Sequence, residues 1–383
     1  MEKDITASIE EHFGSITDPR IERTKLHKLI DILVIAICGA ICSCDSWEDV
    51  EEFGTAKQEW FETFLELPNG IPSHDTFNRV FARLDPVEFR TCFIGWVSVA
   101  SKLIGGQVIA MDGKVLRRSH DRGIGKGAID MVSAWACTNQ LVLGQVKVDE
   151  KSNEITAIPQ LLKALEISGC IITIDAMGCQ TEIAKTIVEE EADYVLALKD
   201  NQGNLFEDTQ KLFEDLESSQ YQAYPYNYEK TVNKGHGRIE IRECWTISDP
   251  QILCHLRGFK NWEKLLTVSC IRSQRWIGDE KTCEDRFHIA SILGAKRVLA
   301  AVRSHWGIEN SLHWTLDMAF DEDHCRVRKD HGSENFAILR HIALNLLKQE
   351  KTSKRSINGK RLLAGWMEDY LLKVLSGLSQ LSI

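Results

Sequence analysis

The sequence predicts an α/β fold in which a mixed sheet carries acids at the ends of its strands. Two short apolar runs, Gln107–Asp112 (QVIAMD) and Cys170–Asp175 (CIITID), have the length of buried strands, and each ends in a carboxylate. Between them, Met131–Cys137 and Leu141–Val148 flank a Thr-Asn-Gln turn and read as a hairpin. The spacing of Leu161, Leu162 and Leu165 then predicts a helix opened by Ser152-Asn-Glu154. A second helix is predicted from Gln180 to Glu190, and a further apolar strand at Tyr194–Leu198.

Three antiparallel strands followed by helix, strand, helix and strand is the order of the ribonuclease-H-like fold. The continuous apolar runs at Ile171–Ile174 and Tyr194–Leu198 suit central strands covered on both faces. This catalytic core is expected over residues 105–200 and 293–350. Residues 201–292 read as a β-rich insertion, with strands expected at Arg238–Arg242, Cys244–Ile247, Leu265–Ile271 and Asp285–Ser291. Residues 1–98 read as an N-terminal helical domain, from the periodic runs Leu26–Ile41 and Trp47–Leu67, and 351–383 as a helical tail. Within the N-terminal part, Pro72–Leu84 has helical spacing of Phe77, Val80, Phe81 and Leu84, which would expose Asn78, Arg79 and Arg83 as in a helix-turn-helix.

Composition sets limits. The chain has 383 residues, 43% hydrophobic and 27% charged, an ordinary globular balance with room for more than one core. Its longest apolar run, Ile32–Cys44, is too short to span a bilayer and predicts a buried helix. The start, MEKDITASIEEHFG, lacks the apolar stretch of a signal peptide, so a cytoplasmic location is expected. Twelve cysteines without a CxxC pair give neither a zinc-finger nor a disulfide framework. The net charge of -10 excludes a uniformly basic nucleic-acid-coating protein. A phosphate backbone answers to local patches, however, and Lys114, Arg117, Arg118, Arg122 and Lys126 crowd the segment after Asp112.

The candidate chemistry rests on Asp112, Asp175 and Glu309. Two acids at the same ends of neighbouring strands and a third on a later helix can hold two hard divalent cations, about 4 Å apart. Each acid also has a plainer role: Asp112 as a turn residue, Asp175 as a helix cap, Glu309 as a solvated helix charge. A different reading takes His305, Glu309 and His313, which share one face of an ideal helix, as a zinc site. Trp245, Trp262 and Trp276 are expected either in the core or as platforms for unstacked bases.

Four motifs sharpen this reading: VIAMDGK at 108–114, TIDAMGCQ at 173–180, DYVLALKDNQ at 193–202 and HWGIENSLHWTLD at 305–317. Together they resemble insertion-sequence DDE transposases, the branch that includes the H-repeat-associated proteins, over almost the whole chain. The resemblance implies that Asp112, Asp175 and Glu309 bind two Mg²⁺ ions, with Mn²⁺ substituting. It implies nicking of double-stranded DNA at the ends of an element, then attack of the freed 3'-hydroxyl on target DNA. It also implies a homodimer on DNA, nucleoid-associated when bound, and no membrane partner. Where many members carry Tyr, Arg and Lys around the helix acid, this chain has Val302, His305 and Leu316. Phosphate contacts are therefore expected from Lys114, Arg117, Arg118, Lys199, Arg238, Arg303, His305, Asn310 and His313. The basic residues Arg326–Lys329, Lys351, Lys354, Arg355, Lys360 and Arg361 are further candidates for contacts to flanking DNA. The alternatives are a catalytically inactive DNA-binding derivative or a metal-dependent nuclease of the same fold.

Overall fold

A computed structural model describes residues 2–101, 103, 105–120, 127–149, 152–235 and 237–378. Arg122 and Lys126, of the basic residues after Asp112, lie outside the described residues.

The chain opens with helices Glu2–Phe13 (α1), Leu29–Ile41 (α2), Trp47–Ala56 (α3), Gln58–Phe61 (α4), His74–Arg83 (α5) and Pro86–Ser101 (α6). The expected single helix from Trp47 to Leu67 is broken, because Lys57 leaves helical geometry at φ -112 and ψ 16. A Ser46–Asp49 capping box starts α3. In α5 the spacing holds: Phe77, Val80 and Phe81 are buried while Arg79 and Arg83 are exposed, with Asn78 half-buried. The apolar run of α2 is buried from Asp31 to Ile41, as a core helix should be.

Then come strands Val108–Leu116 (β1), Ile129–Ala136 (β2) and Leu141–Lys147 (β3), helix Glu154–Ala164 (α7), strand Ile171–Ile174 (β4), helix Thr181–Glu189 (α8) and strand Asp193–Leu198 (β5). After helix Gly203–Ser218 (α9), strands Asn227–Gly235 (β6) and Arg238–Ile247 (β7) precede a short helix, Pro250–Leu253 (α10). Strands Thr267–Ile277 (β8) and Glu280–Ala290 (β9) follow. The two segments expected at Arg238–Arg242 and Cys244–Ile247 are one continuous strand, because its pairing with β6 and β8 runs through Glu243 without interruption.

The strands form one mixed sheet in the order β3-β2-β1-β4-β5-β9-β8-β7-β6. β1, β4 and β5 run parallel to one another, β2 is antiparallel to β1, and β3 is antiparallel to β2. The β6–β9 strands do not build a sheet apart. β9 pairs antiparallel with β5, so the inserted strands prolong the same sheet.

The last part is helical: Ala295–Gly307 (α11), a π-helical stretch Ile308–His313, then Trp314–Phe320 (α12), Gly332–Gln349 (α13), Ile357–Trp366 (α14) and Glu368–Leu375 (α15). α13 is buried from Gly332 to Leu347 and packs against α2, α5, α6 and β3. It therefore joins the N-terminal helices and the sheet into one apolar core. Among the described residues, no helix is long and apolar enough to cross a membrane.

Candidate active site

Register brings the first two acids together. β1 and β4 pair in parallel through Met111 opposite Ile174, their last parallel pair. Asp112 is the next residue of β1 and Asp175 the first residue after β4, so the register brings them close, and the Asp175 charge acts on Asp112. β1 does not stop at Asp112, as the sequence suggested. It continues to Leu116 because β2 goes on pairing with it, Asp112 opposite Ser133.

Asp112 Oδ1 accepts from the backbone N–H of Gly113 at 2.9 Å. Burial and then the neighbouring Asp175 carboxylate push the Asp112 carboxyl up to about 7, with Glu154 and Glu309 adding to the effect. Asp175 Oδ1 accepts from the amides of Met177 and Gly178, at 3.1 and 3.3 Å. It thus fastens the turn after β4 rather than the N-terminus of α8, whose flanking residue is Gln180.

Glu309 lies in the π-helical stretch, a widened turn of the kind that recurs at functional sites. Its side chain is exposed, and it lines a cavity of about 480 Å³ together with Asp175, Lys199, His288 and His305. His305 Nδ1 lies 3.0 Å from Thr173 Oγ1, and burial holds its imidazole below the usual histidine range. His313 sits at the far end of the π stretch, its Nδ1 3.6 Å from Asp112 Oδ2. Burial, then the charge of Lys114, lowers it to about 4, so it is neutral at physiological pH.

This arrangement removes the basis of the zinc reading. Its one-face geometry assumed an α-helix throughout, but the π stretch separates His305, facing Thr173, from His313, facing Asp112. Among the described residues, no group of three or more His, Cys, Asp or Glu side chains is gathered closely enough to hold a metal ion. As oxygen donors the carboxylates suit a hard divalent cation: neighbouring acids repel the Asp112 charge, and among the described residues no Lys or Arg pairs with Asp112, Asp175 or Glu309.

The expected phosphate contacts divide. Lys199, His305 and Glu309 share the cavity. With the Asn233 amide turned so that its oxygen faces the two guanidiniums, Arg303 Nη2 and Arg242 Nη1 both donate to it, at 3.0 and 3.2 Å. Arg242 and Arg238 also pair with Glu240, so this group gathers beside the inserted strands. Asn310 is exposed and donates to the Trp306 carbonyl at 2.9 Å. Arg117 is exposed but pairs with Asp323 at 3.2 Å, and the half-buried Arg118 receives Arg328 Nε at its carbonyl.

Three basic residues are corrections. The Lys114 side chain is only 13% exposed, and its ammonium is engaged by Asp317 and Glu322. Lys360 and Arg361 are buried, each donating to backbone carbonyls. Their cations are engaged inside the protein, not presented to DNA. Trp245 and Trp262 are core residues, while Trp276 is half-buried with Lys281 over its ring.

Sequence reading missed Glu154. It is the first residue of α7, and its carboxylate packs against Gly113, next to Asp112. The signal was present as an acid three residues after Lys151 and one after an Asn cap, but a first-turn acid is ordinary in any helix.

Residues 104–346 match the model of the transposase DDE domain, and residues 10–97 match the model of the region associated with it. "H repeat-associated putative transposase YhhI" of Escherichia coli K12 is 39% identical over 96% of this chain and 97% of its own length. "Putative transposase YncI" of Escherichia coli O157:H7 is 38% identical over 98% of this chain and 96% of its own. A shorter relative covering 19% of this chain is named "Inactive transposase YbfQ", so relatives of this chain include one named as inactive. By sequence and by domain match, this chain belongs to the family of transposases with the DDE domain.

Proposed function

We propose that this transposase cuts double-stranded DNA at the ends of an insertion sequence and joins the freed 3'-hydroxyl to target DNA. The observation that carries the reading is the parallel register of Met111 with Ile174, which brings Asp112 and Asp175 close. The order β3-β2-β1-β4-β5, with the acids at the ends of the parallel strands, supports a ribonuclease-H-like core.

Asp112, Asp175 and Glu309 are the proposed ligands of Mg²⁺, for which Mn²⁺ substitutes. When bound, such ions activate the attacking oxygen and stabilise the leaving one in an in-line displacement at phosphorus. The protein's own part is orientation and charge. The turn amides hold Asp175, the Gly113 amide holds Asp112, and neutral His305 lines the cavity as a donor toward phosphate oxygens. Lys199 supplies a positive charge on the same wall. Arg303, Arg242 and Arg238 are proposed to hold the DNA backbone farther along. Two element ends cut in concert call for a homodimer on DNA, and the exposed Arg79 and Arg83 on α5 support a DNA contact by the N-terminal helices.

The test is nicking of a duplex carrying the element's own ends, in Mg²⁺ or Mn²⁺. Wild type should give 3'-hydroxyl ends, and Asp112→Ala, Asp175→Ala and Glu309→Ala should give none while still binding DNA. Cleavage retained in the variants would remove the site, and binding without cleavage by wild type would mark this copy as inactive.

A further inference from the structure

We infer that Asn201 and Gln202 are positioning residues for Asp175: their side-chain amides grip the turn that carries this acid. The inference rests on the site reading above and adds the two residues that close the DYVLALKDNQ motif.

Asp175 follows the last residue of β4, is exposed, and leads into a turn that the sheet no longer holds. Its Oδ1 accepts from the amides of Met177 and Gly178, so the acid and the turn are placed together. On the inner side close packing fixes this turn: Gly178 is buried, and a Cβ there would run into the Ile174 side chain.

On the outer side the carbonyls of the turn are met by amide side chains. Asn201 Nδ2 donates to the Ala176 carbonyl at 2.7 Å, and Gln202 Nε2 donates to the Cys179 carbonyl at 2.8 Å. Between them, Gln180 Nε2 donates to the Met177 carbonyl at 3.2 Å. Gln180 adjoins the turn in sequence, whereas Asn201 and Gln202 arrive from the 3₁₀ turn Asp200–Gln202 after β5. Two adjacent side chains thus hold the Asp175 turn at two points, which fixes its direction as well as its distance.

The plainer role of such amides is to satisfy backbone groups at a chain reversal. Two features point beyond it. Asn201 is exposed, so water could serve the Ala176 carbonyl and burial does not demand an amide there. The segment that grips the turn also brings Lys199 and Asp200 to the cavity lined by Asp175 and Glu309. One short stretch after β5 therefore supplies both a cation of the cavity wall and the hold on the cavity's acid. An exposed hydrogen bond adds little to folding, whereas a carboxylate that acts on a phosphate must be held to within about 0.5 Å.

The experiment uses the full chain. It combines hydrogen exchange of the metal-free protein, thermal melting, DNA binding, and nicking of the element-end duplex over a series of Mn²⁺ concentrations. Asn201→Ala and Gln202→Leu each remove one donor. Each should melt as wild type does and exchange the Met177 and Gly178 amides about 10-fold faster. Nicking at saturating DNA should slow about 10- to 100-fold, with unchanged DNA affinity and a higher Mn²⁺ requirement. Wild-type exchange at both amides in both variants would overturn the inference. Faster exchange with nicking rate and Mn²⁺ requirement unchanged would also overturn it, since the grip would then be merely structural. So would slower nicking that only tracks a lower melting temperature. No nicking by wild type, or nicking retained in Asp175→Ala, would overturn the site reading itself, and this inference with it, whatever the exchange shows.

Discussion

The ammonium of Lys114 lies 2.7 Å from Glu322 Oε2, and that carboxylate is 2% exposed. Asp317 engages the same ammonium, and Arg340 Nη1 approaches the other oxygen of Glu322 at 3.8 Å. Lys114 thus ties β1, two residues past Asp112, to α12 and the turn after it, which continue the helix carrying Glu309. Lys114→Met should leave Glu322 buried with half its compensation gone and cost about 3–5 kcal/mol in denaturant unfolding. Unfolding unchanged from wild type, combined with a loss of DNA affinity, would return Lys114 to the role of a phosphate contact.

Arg303 and Arg242 share the Asn233 oxygen, and Arg238, Arg242 and Arg275 surround the single carboxylate of Glu240. Cations in such excess leave net positive charge for a polyanion. Arg242→Ala and Arg303→Ala should each lower the slope of log affinity against log salt by about 1, with little effect on which sequence is bound. A slope identical to wild type in both would place the DNA path elsewhere. This patch also bears on the net charge of -10, since a local cluster can bind phosphate on an acidic protein.

Much of the site was legible because parallel strands report themselves locally. The runs VIAM and IITI are apolar on both faces, and the acid after each marks where cover ends. What local pattern could not show was decided by distant partners. Nothing in IENSLH breaks a helix, so the π stretch and the different neighbours it gives His305 and His313 have no sequence signature. Lys114, Lys360 and Arg361 read as exposed because a lone cation usually is. Their burial depends on Glu322, on the carbonyls of Leu347 and Ala40, and on Asp45, all remote along the chain or across a turn. Glu154 was hidden for the same reason: only the docking of α7 brings it onto Gly113.

Glu350 predicts a response to acid. It is buried, receives the Tyr370 hydroxyl at 2.7 Å and the Thr352 amide at 2.5 Å, and faces Lys360 at 3.4 Å. Burial alone would raise its carboxyl, but the hydrogen bonds from Thr352 and Tyr370 prevail and hold it at about 2. The folded value lies below the ordinary one, so this stabilisation is present above about pH 4.5 and is lost as pH falls toward 2. Glu350→Gln should melt lower than wild type at pH 7, and the gap should close progressively below pH 4.5. A gap that stays constant from pH 7 to pH 3 would show that the charge contributes nothing and that packing alone is at stake.

Asn345 supplies an exposed problem of sheets with an internal answer. β3 ends the sheet, so Val142 offers an N–H and a C=O with no neighbouring strand. The Asn345 side chain on α13 takes both: Val142 N donates to its Oδ1 at 2.9 Å, and its Nδ2 donates to the Val142 carbonyl at 2.9 Å. A single amide therefore imitates the missing strand and joins the last long helix to the sheet inside a region that water does not reach, since Asn345 is 1% exposed. Asn345→Leu conserves volume but strands two buried backbone groups, each costing about 1–3 kcal/mol. Asn345→Asp keeps the acceptor and loses the donor, so it should leave one group unpaired and add a buried charge. Both variants should unfold at lower denaturant than wild type with an unchanged dependence on denaturant concentration. Faster hydrogen exchange at the Val142 amide would locate the damage there, and exchange as slow as in wild type would show that the edge is held by packing rather than by this amide.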